Sequence, residues 1–385
     1  MVSIAFTGGG TGGHIYPGLA VASWLKKLFP CRIIWIGSGK GMDRAIVERA
    51  GIEFFGIPSG KLRRYFSLRT ISDSFRVLAG FFTALRILKQ ERPGLLFSKG
   101  GFVSVPPCAA AKLLKIPVFT HDSDFSPGLA TRINSRFAEK IFIPYKGSAA
   151  FFPGEAGKKL CVSGNPVRPE FAEADAAKGR AFLGLGEDER VLLVLGGSLG
   201  SREINILVRA CLPELTRYYT VVHQTGDSSS PKEAAGEISS KAAGRYKPYA
   251  HFQDEIPHII AAAELVLCRS GAGTIWECKY LHKPMVLVPL RGSGTRGDQV
   301  ENSRLFEEAG AAVCFTGDDP EELSGLIVSL AGDPQRRRAM GEAKIVKSGD
   351  PSGLLGSGDP KSPESGAAGF IAEEIVRRIA GREHE

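Results

Sequence analysis

The chain has 385 residues, 43% hydrophobic and 23% charged. That balance excludes a largely disordered protein and suits two domains of ordinary size. A formal net charge of +8 favours an anionic partner: a nucleotide, a nucleic acid or an acidic membrane surface.

Ser3–Thr7 reads as a short buried strand, followed by a glycine-rich turn from Gly8 to Gly13, a helix from Pro17 to about Phe29, and a second strand at Arg32–Ile36. Strand, glycine loop, helix, strand is the βαβ unit of a doubly wound parallel sheet. Further apolar runs at Gly94–Phe97, Pro117–Thr120 and Lys140–Ile143 continue that sheet. The residues Ile71, Phe75, Leu78, Phe82 and Leu85 step by four and three, which predicts a helix with one stripe facing the core. The pattern restarts with Val191–Leu195, a second glycine loop at Gly196–Gly200, and strands at Thr220–His223, Leu265–Cys268 and Met285–Val288. The expected division is residues 1–164 and 165–346, with the turn-forming Gly164-Asn165-Pro166 at the boundary. Residues 347–369 are rich in Ser, Gly, Pro and Asp and read as a mobile linker. Residues 370–385 read as a closing helix and tail, with Ile371, Ile375 and Ile379 on one face. The fold class is α/β: two Rossmann-like domains facing across a cleft lined by the loops at the strands' carboxyl ends.

The seven cysteines, at 31, 108, 161, 211, 268, 278 and 314, contain no C-x-x-C pair and read as free thiols in a reducing cytoplasm. No signal-peptide pattern precedes the first strand, and no uninterrupted apolar run reaches the roughly 18 residues needed to span a bilayer. Any membrane contact is therefore expected to be peripheral.

Gly8-x-Gly10-x-x-Gly13 matches the dinucleotide fingerprint, but the second strand ends in Gly37-Ser38-Gly39-Lys40, without the acidic residue that would hold a ribose. The glycines retain their physical use, which is close approach of backbone N–H groups to a phosphate or sugar at a helix N-terminus. A tight turn alone would also use them. Two more such loops follow strands: Lys99–Ser104, and Arg269–Thr274, which opens a helix carrying Glu277. A diphosphate at that helix would meet free N–H groups and a favourable dipole. Glu277, about one turn in, could take ribose hydroxyls or be a solvated helix residue.

Seven stretches resemble the MurG family of bacterial peptidoglycan glycosyltransferases: Gly8–Pro17 (GGGTGGHIYP), Lys99–Pro106 (KGGFVSVP), His121–Leu129 (HDSDFSPGL), Gly164–Arg168 (GNPVR), Gly196–Gly200 (GGSLG), Arg269–Glu277 (RSGAGTIWE) and Asp298–Asn302 (DQVEN). They stand in the family's order over residues 1 to about 315. The resemblance implies a GT-B fold, with a lipid-linked acceptor on the first domain and UDP-N-acetylglucosamine on the second. It implies transfer of N-acetylglucosamine to the 4-hydroxyl of the muramoyl sugar of lipid I, with inversion, with UDP as a product, and without a cofactor or metal. It also implies peripheral attachment at the cytoplasmic face of the membrane.

Carried over by motif, His14 is the candidate general base, an imidazole having an ordinary pKa near 6.5, close to cytoplasmic pH. It could instead only hydrogen-bond the glycine loop. Thr11, Gly12 and Gly13 would approach the donor diphosphate. Arg168 and Ser198 match donor-contacting positions, and the fork of Arg168 suits a diphosphate. Ala272, Gly273, Thr274 and Glu277 would hold UDP, and Gln253 falls where backbone contacts recognise uracil. Asp298 and Gln299 match the polar pair near the sugar hydroxyls. Gly100, Gly101, Phe102, Ser104, His121 and Asp122 fall on the acceptor side, and Asp124 lies near the donor sugar and phosphate.

Five positions depart from the family. His121-Asp122-Ser123-Asp124 replaces the usual His-Glu-Gln-Asn, which puts a carboxylate at Asp124 where an amide is usual. Phe102 replaces a tyrosine, and Val105 a glycine. Asp122-x-Asp124 also mimics the metal-binding D-x-D of another glycosyltransferase fold, although helix N-termini and Arg168 already supply positive potential. The departures keep open a UDP-sugar transferase with another lipid or small-molecule acceptor. A UDP-N-acetylglucosamine 2-epimerase and a non-catalytic sensor are the further alternatives.

Between residues 55 and 90, Lys61, Arg63, Arg64, Arg69, Arg76, Arg86 and Lys89 face one acid, Asp73. For Lys61–Arg69, with Tyr65, Phe66 and Leu68 interleaved and no helical period, docking on an anionic membrane is the expectation. For Ile71–Leu85 the expectation is core. Nucleic acid is not expected as a partner, since no recognition motif is present.

Overall fold

The computed structural model describes residues 1–39, 41–60, 68–197, 200–226, 244–292, 297–345 and 366–381. Residues 61–67 of the expected docking segment Lys61–Arg69, the donor candidate Ser198 and most of the expected linker (347–365) lie outside them. The described chain forms two compact units: Met1–Pro169 with the C-terminal helix, and a second that begins at Glu170.

The first unit runs β1 (Val2–Thr7), α1 (Tyr16–Leu28), β2 (Cys31–Ser38), α2 (Asp43–Arg49), β3 (Glu53–Ile57), α3 (Leu68–Glu91), β4 (Leu95–Ser98), α4 (Val105–Leu113), β5 (Val118–His121), α5 (Leu129–Asn134), β6 (Lys140–Ile143) and β7 (Leu160–Val162). Its strands pair in parallel in the order β3-β2-β1-β4-β5-β6-β7, with Thr7 opposite Ser98 and Ser98 opposite Thr120. Such a sheet must be covered on both faces, and its central strands are accordingly continuous apolar runs. Ile4, Phe6, Trp35 and Phe97 fill one side with Leu25 of α1, while Ala5, Ile34, Leu96 and Ile141 fill the other with Ala84 and Leu88 of α3.

The second unit runs α6 (Ala176–Leu183), β8 (Val191–Leu195), α7 (Arg202–Leu215), β9 (Thr220–Gln224), β10 (Tyr246–Tyr249), α8 (Ile256–Ala262), β11 (Leu265–Cys268), α9 (Ala272–Tyr280), β12 (Met285–Leu287), α10 (Asp298–Glu308), β13 (Ala312–Cys314), α11 (Pro320–Ala331) and α12 (Pro334–Glu342). Its strand order is β10-β9-β8-β11-β12-β13, again parallel. Local signals set helix limits: Asp175 caps α6 by accepting from Ala177 N at 2.8 Å, and Gly184 in the left-handed region ends it.

The last helix, α13 (Gly366–Ala380), starts four residues before the expected Phe370 and belongs to the first unit. Ile371, Ile375 and Ile379 are buried at 0, 0 and 5% exposure in the cluster that contains Leu25 and Phe142. Lys140 and Arg377 both hydrogen-bond the buried Glu374, and Arg378 bonds Glu139 at 2.8 Å.

One expectation is overturned. Three residues of the α3 stripe read as core are exposed, Phe75 by 70%, Leu78 by 53% and Phe82 by 59%, while Leu85 packs partly against the core. The covered face is the opposite one, carrying Gly80, Ala84, Ile87 and Leu88. A Cβ on Gly80 would lie 2.3 Å from the Pro58 carbonyl, so only a small residue lets this face approach the body. Helical period tells which residues share a face, not which of two apolar faces is covered.

Candidate active site

In each sheet the strand order reverses beside the first strand of its unit: between β1 and β4, and between β8 and β11. Loops leaving two such strands diverge, and the crevice outside their carboxyl ends is where open α/β sheets bind ligands. In the first unit the candidate residues up to Asp124 lie in the loops that leave β1, β4 and the adjoining β5 or at the end of β5 itself.

In the first unit, the loop after β1 is tied from below. Trp35 Nε1 donates to Gly8 O at 3.0 Å. The buried carboxylate of Asp43 accepts Gly10 N through Oδ1 at 2.9 Å and Oδ2 at 3.1 Å, and Ser38 N through Oδ2 at 3.1 Å. Gly9 has no space for a side chain, since its Cβ would fall 1.9 Å from Asp43 Oδ2. The amide of Gly10, which a dinucleotide phosphate would use, therefore serves an internal anion. Thr11 and Gly13 are exposed, Gly12 is buried, and His14 ends a short 3₁₀ turn, its N–H donating to Thr11 O at 3.1 Å.

The loop after β4 supports the His14 ring. Gly101 has φ +80, and a Cβ there would lie 2.7 Å from Gly9 O and 3.1 Å from His14 Cδ2. Imidazole and glycine loop are thus packed face to face, and glycine is required both for the conformation and for the space. Phe102 lies against Gly10, within 2.7 Å of where its Cβ would be. Behind the loop, Asn134 Nδ2 donates to Ser98 Oγ at 3.1 Å and Ser104 Oγ at 2.8 Å, Gly100 N donates to Ser98 Oγ at 3.2 Å, and Ser104 Oγ donates to Gly101 O at 2.8 Å. Ser104, fully buried, works within the protein and supports the loop from behind.

The turn after β5 carries His121, Asp122 and Asp124. His121 is fully buried, and its Nε2 lies 3.1 Å from Gly164 O; a carbonyl only accepts, so Nε2 carries the proton. Burial, with the nearby Lys99 charge, holds this imidazole well below its ordinary pKa and therefore neutral. Asp122 Oδ1 accepts Asp124 N and its Oδ2 accepts Gly128 N, both at 3.1 Å. Ser123 Oγ donates to Asn165 Oδ1 at 2.7 Å, which ties the turn to the GNPVR stretch. In that stretch, Arg168 lies over the Tyr16 ring, 4.9 Å from its centre, beside the glycine loop that ends in His14. The first unit thus gathers Thr11–His14, Gly100–Ser104, His121–Asp124 and Arg168.

In the second unit, the loop after β11 opens α9. Gly271 caps the helix, Ala272 is buried, and Gly273, Thr274 and Glu277 are half-buried. A Cβ on Gly273 would meet nothing within 4 Å, so the helix N-terminus is open to a ligand. Arg269 does not extend outward. It is 9% exposed, with Nη1 donating to Val288 O at 3.1 Å and Nη2 to Ser201 Oγ at 2.7 Å and Glu203 Oε2 at 2.6 Å. It clamps the loop after β8 to that after β11, a role a planar fork of donors can fill. From α10, Asn302 Nδ2 donates to Ser270 O at 3.2 Å, and Gln299 Oε1 accepts Leu290 N at 3.0 Å, which orients the Gln299 amide. Asp298 sits in the first turn of α10, half-buried. Gln253 is exposed and its N–H donates to Glu255 Oε2 at 3.2 Å, so a ligand contact through that amide would displace a carboxylate. Among the described residues no group of three or more His, Cys, Asp or Glu could hold a metal ion.

The sequence matches the glycosyltransferase family 28 N-terminal domain over residues 4–143 and the family's C-terminal domain over residues 191–351. It is 44% identical over 375 residues to a protein of Treponema denticola named UDP-N-acetylglucosamine–N-acetylmuramyl-(pentapeptide) pyrophosphoryl-undecaprenol N-acetylglucosamine transferase, covering 92% of this chain and 96% of that one. The chain belongs to glycosyltransferase family 28. Its fold is shared with the crystal structure of Acinetobacter baumannii MurG (TM-score 0.66, 24% identity, 89% and 94% of the two chains covered). The same architecture recurs in a UDP-GlcNAc 2-epimerase from Neisseria meningitidis bound to UDP-GlcNAc (TM-score 0.67, 15% identity, 99% and 100% covered). The α/β reading with two parallel-stranded, Rossmann-like units thus holds, as does the family inferred from seven motifs. As a family 28 glycosyltransferase, the chain is an enzyme of the transferase class.

Asp43, Lys99, Asn134 and Arg269 were missed as functional candidates. Lys99 and Arg269 were visible as the first residues of two glycine motifs, next to strand ends. Asp43 and Asn134 act from the start of α2 and the end of α5, and nothing in their sequence neighbourhood announces their partners.

Proposed function

We propose that this family 28 enzyme transfers N-acetylglucosamine from UDP-N-acetylglucosamine to the 4-hydroxyl of the muramoyl sugar of an undecaprenyl-diphosphate-linked pentapeptide, in cell-wall synthesis. The observation that carries the reading is 44% identity over 96% of the length of a relative named for that reaction. By the same reading the enzyme contributes to cell shape and division.

In this scheme, His14 takes the proton of the acceptor hydroxyl as its oxygen bonds to the anomeric carbon, while the bond from that carbon to the UDP oxygen breaks on the opposite face. The configuration inverts and UDP leaves with the electron pair. Thr11–Gly13 and Arg168 attend the diphosphate, Asp124 lies near the donor sugar, and Gly100 to Phe102 with His121 and Asp122 stand on the acceptor side. Ala272–Thr274 place helix N–H groups on UDP, Glu277 takes the ribose, and Asp298 and Gln299 read the sugar hydroxyls. The scheme uses no cofactor and no metal.

The acceptor is lipid-linked, and the exposed face of α3 suits a bilayer. Phe75, Leu78 and Phe82 project to solvent beside the exposed Arg76, Arg86 and Lys89. No helix among the described residues is long and apolar enough to cross a membrane. We assign the protein to peripheral attachment at the cytoplasmic face, with this side of the first unit toward the lipid.

The test is UDP release from UDP-N-acetylglucosamine in EDTA, with and without a soluble analogue of the lipid-linked muramoyl pentapeptide. Release that requires the analogue and survives EDTA supports the reading. Acceptor-independent formation of the 2-epimer would replace it with an epimerase, and loss in EDTA would reinstate a metal at Asp122 and Asp124.

A further inference from the structure

Arg132 of α5 lies just past the stretch His121–Leu129 and has no part in the scheme so far. It is exposed, yet its guanidinium is held at two places. Nε donates to Pro127 O at 3.2 Å, and the group lies over the Phe151 ring, 5.9 Å from its centre. Phe151 is itself braced: it meets Phe125 edge-on with ring centres 5.7 Å apart, and Phe125 lies 6.0 Å from the ring of the buried Tyr145. Holding a long exposed side chain in one place costs rotamer freedom, which one hydrogen bond to a neutral carbonyl offsets only in part. Among the described residues the two Nη groups make no hydrogen bond and the guanidinium makes no ion pair.

The same contacts set where this free edge stands. Pro127 precedes Gly128, whose N–H donates to Asp122 Oδ2 at 3.1 Å and whose carbonyl accepts Arg132 N at 3.0 Å. Asp122, the turn after β5 and Arg132 are thus one hydrogen-bonded body, on the side of the first unit assigned to the acceptor. Asp122 gives its other oxygen to Asp124 N at 3.1 Å and does not pair with Arg132. A planar fork with free N–H donors matches two oxygens of a carboxylate or of a diphosphate. The acceptor of the proposed reaction carries both groups.

We propose that Arg132 is a substrate-binding residue that takes a pair of anionic oxygens on the acceptor, from a carboxylate of its peptide or from its diphosphate. This rests on the reading of the chain as a transferase acting on a diphosphate-linked muramoyl pentapeptide. Phe151 and Pro127 O orient the fork, and the Nη groups make the contact.

The test compares wild type, Arg132→Gln, Arg132→Lys and Arg136→Gln on three soluble acceptors: the muramoyl pentapeptide diphosphate, the same molecule with its peptide carboxylates amidated, and the same molecule with a neutral link in place of the diphosphate. KM is read for the first, and Ki against it for the other two. Arg132→Gln is expected to raise the KM for the first acceptor by about tenfold, while kcat and the KM for UDP-N-acetylglucosamine change by less than about twofold. Arg132→Lys keeps the charge without the fork and should recover only part of the loss. Arg136→Gln, also exposed, should match wild type. The penalty is expected to vanish with one modified acceptor: the amidated one if the partner is a carboxylate, the neutral-linked one if it is the diphosphate. An equal penalty on all three would leave Arg132 as a support of its turn alone, and an unchanged KM would remove it from the site; either result overturns the proposal. A wild type that turns over no muramoyl acceptor overturns the reading on which the proposal rests, and the proposal with it.

Discussion

The carboxylate of Asp43 accepts the amide of Gly10 at 2.9 Å, across 33 residues of sequence, and so closes the loop that presents His14. An internal anion in this place gives the loop its shape before any ligand arrives. Asp43→Ala would leave the buried Ser38 N without that acceptor, at about 1–3 kcal/mol, and would remove the part-buried bond of Gly10 N as well. We expect a lower Tm and a kcat reduced at least about tenfold, with a smaller loss of affinity for UDP, to which Ala272–Thr274 and Glu277 also contribute. Calorimetric UDP titration beside steady-state kinetics checks this; a normal kcat in a folded Asp43→Ala protein would contradict it.

Arg269 ties together two loops of the second unit through Ser201, Glu203 and Val288. Lysine cannot reach all three acceptors at once. Arg269→Lys is expected to weaken UDP binding by about tenfold, or roughly 1.4 kcal/mol, while the far-UV spectrum stays unchanged.

The exposed face of α3 predicts binding to vesicles containing anionic lipid. Each basic residue near such a surface contributes roughly 1 kcal/mol, and salt weakens the term. Phe75→Ser with Phe82→Ser should reduce co-sedimentation with the vesicles and raise the KM for a membrane-embedded acceptor, while kinetics with a soluble analogue stay the same. Equal loss on both acceptors would place this face elsewhere in the mechanism.

His223, 1% exposed, lies between Tyr246 OH and Asn205 Oδ1, each 3.1 Å from a ring nitrogen. Asn205 Nδ2 donates to Thr225 O, which leaves Oδ1 as the acceptor for His223 Nε2–H. Burial first, and then the charge of Arg209, lower its pKa from 6.5 to about 4. The unfolded chain therefore binds the proton more readily than the folded one. The stabilisation is fully present above pH 6.5 and is lost as pH falls toward about 4, by roughly 2 kcal/mol at pH 5. Urea midpoints at pH 7.5 and pH 5 should differ more for wild type than for His223→Gln; His121 shifts the same way and keeps part of the dependence.

Much of this was legible in the sequence. Val191–Leu195 and Lys140–Ile143 are strands as read, because a strand buried on both faces is a continuous apolar run. The glycine loops were legible as punctuation. Glu53–Ile57 and Tyr246–Tyr249 were not, since EFFGI and YKPY carry neither a clean run nor alternation, and only pairing with β2 and β9 makes them strands. The α3 stripe was misread because Gly80 and Ala84, too small to weigh in a hydrophobic pattern, are the residues that let the helix approach. At the site, motifs gave His14 and Glu277, whereas Asp43, Asn134 and Arg269 act through contacts between segments far apart in the chain, which no local pattern records.

The most direct test is product identification by mass spectrometry, with wild type and His14→Ala supplied with UDP-N-acetylglucosamine and a lipid-linked muramoyl pentapeptide acceptor. The account predicts an acceptor heavier by one N-acetylhexosamine for wild type, and a rate lower by about 10²- to 10⁴-fold for His14→Ala with UDP binding intact. A wild-type enzyme that leaves this acceptor unmodified, or a His14→Ala variant that glycosylates it at the wild-type rate, would contradict it.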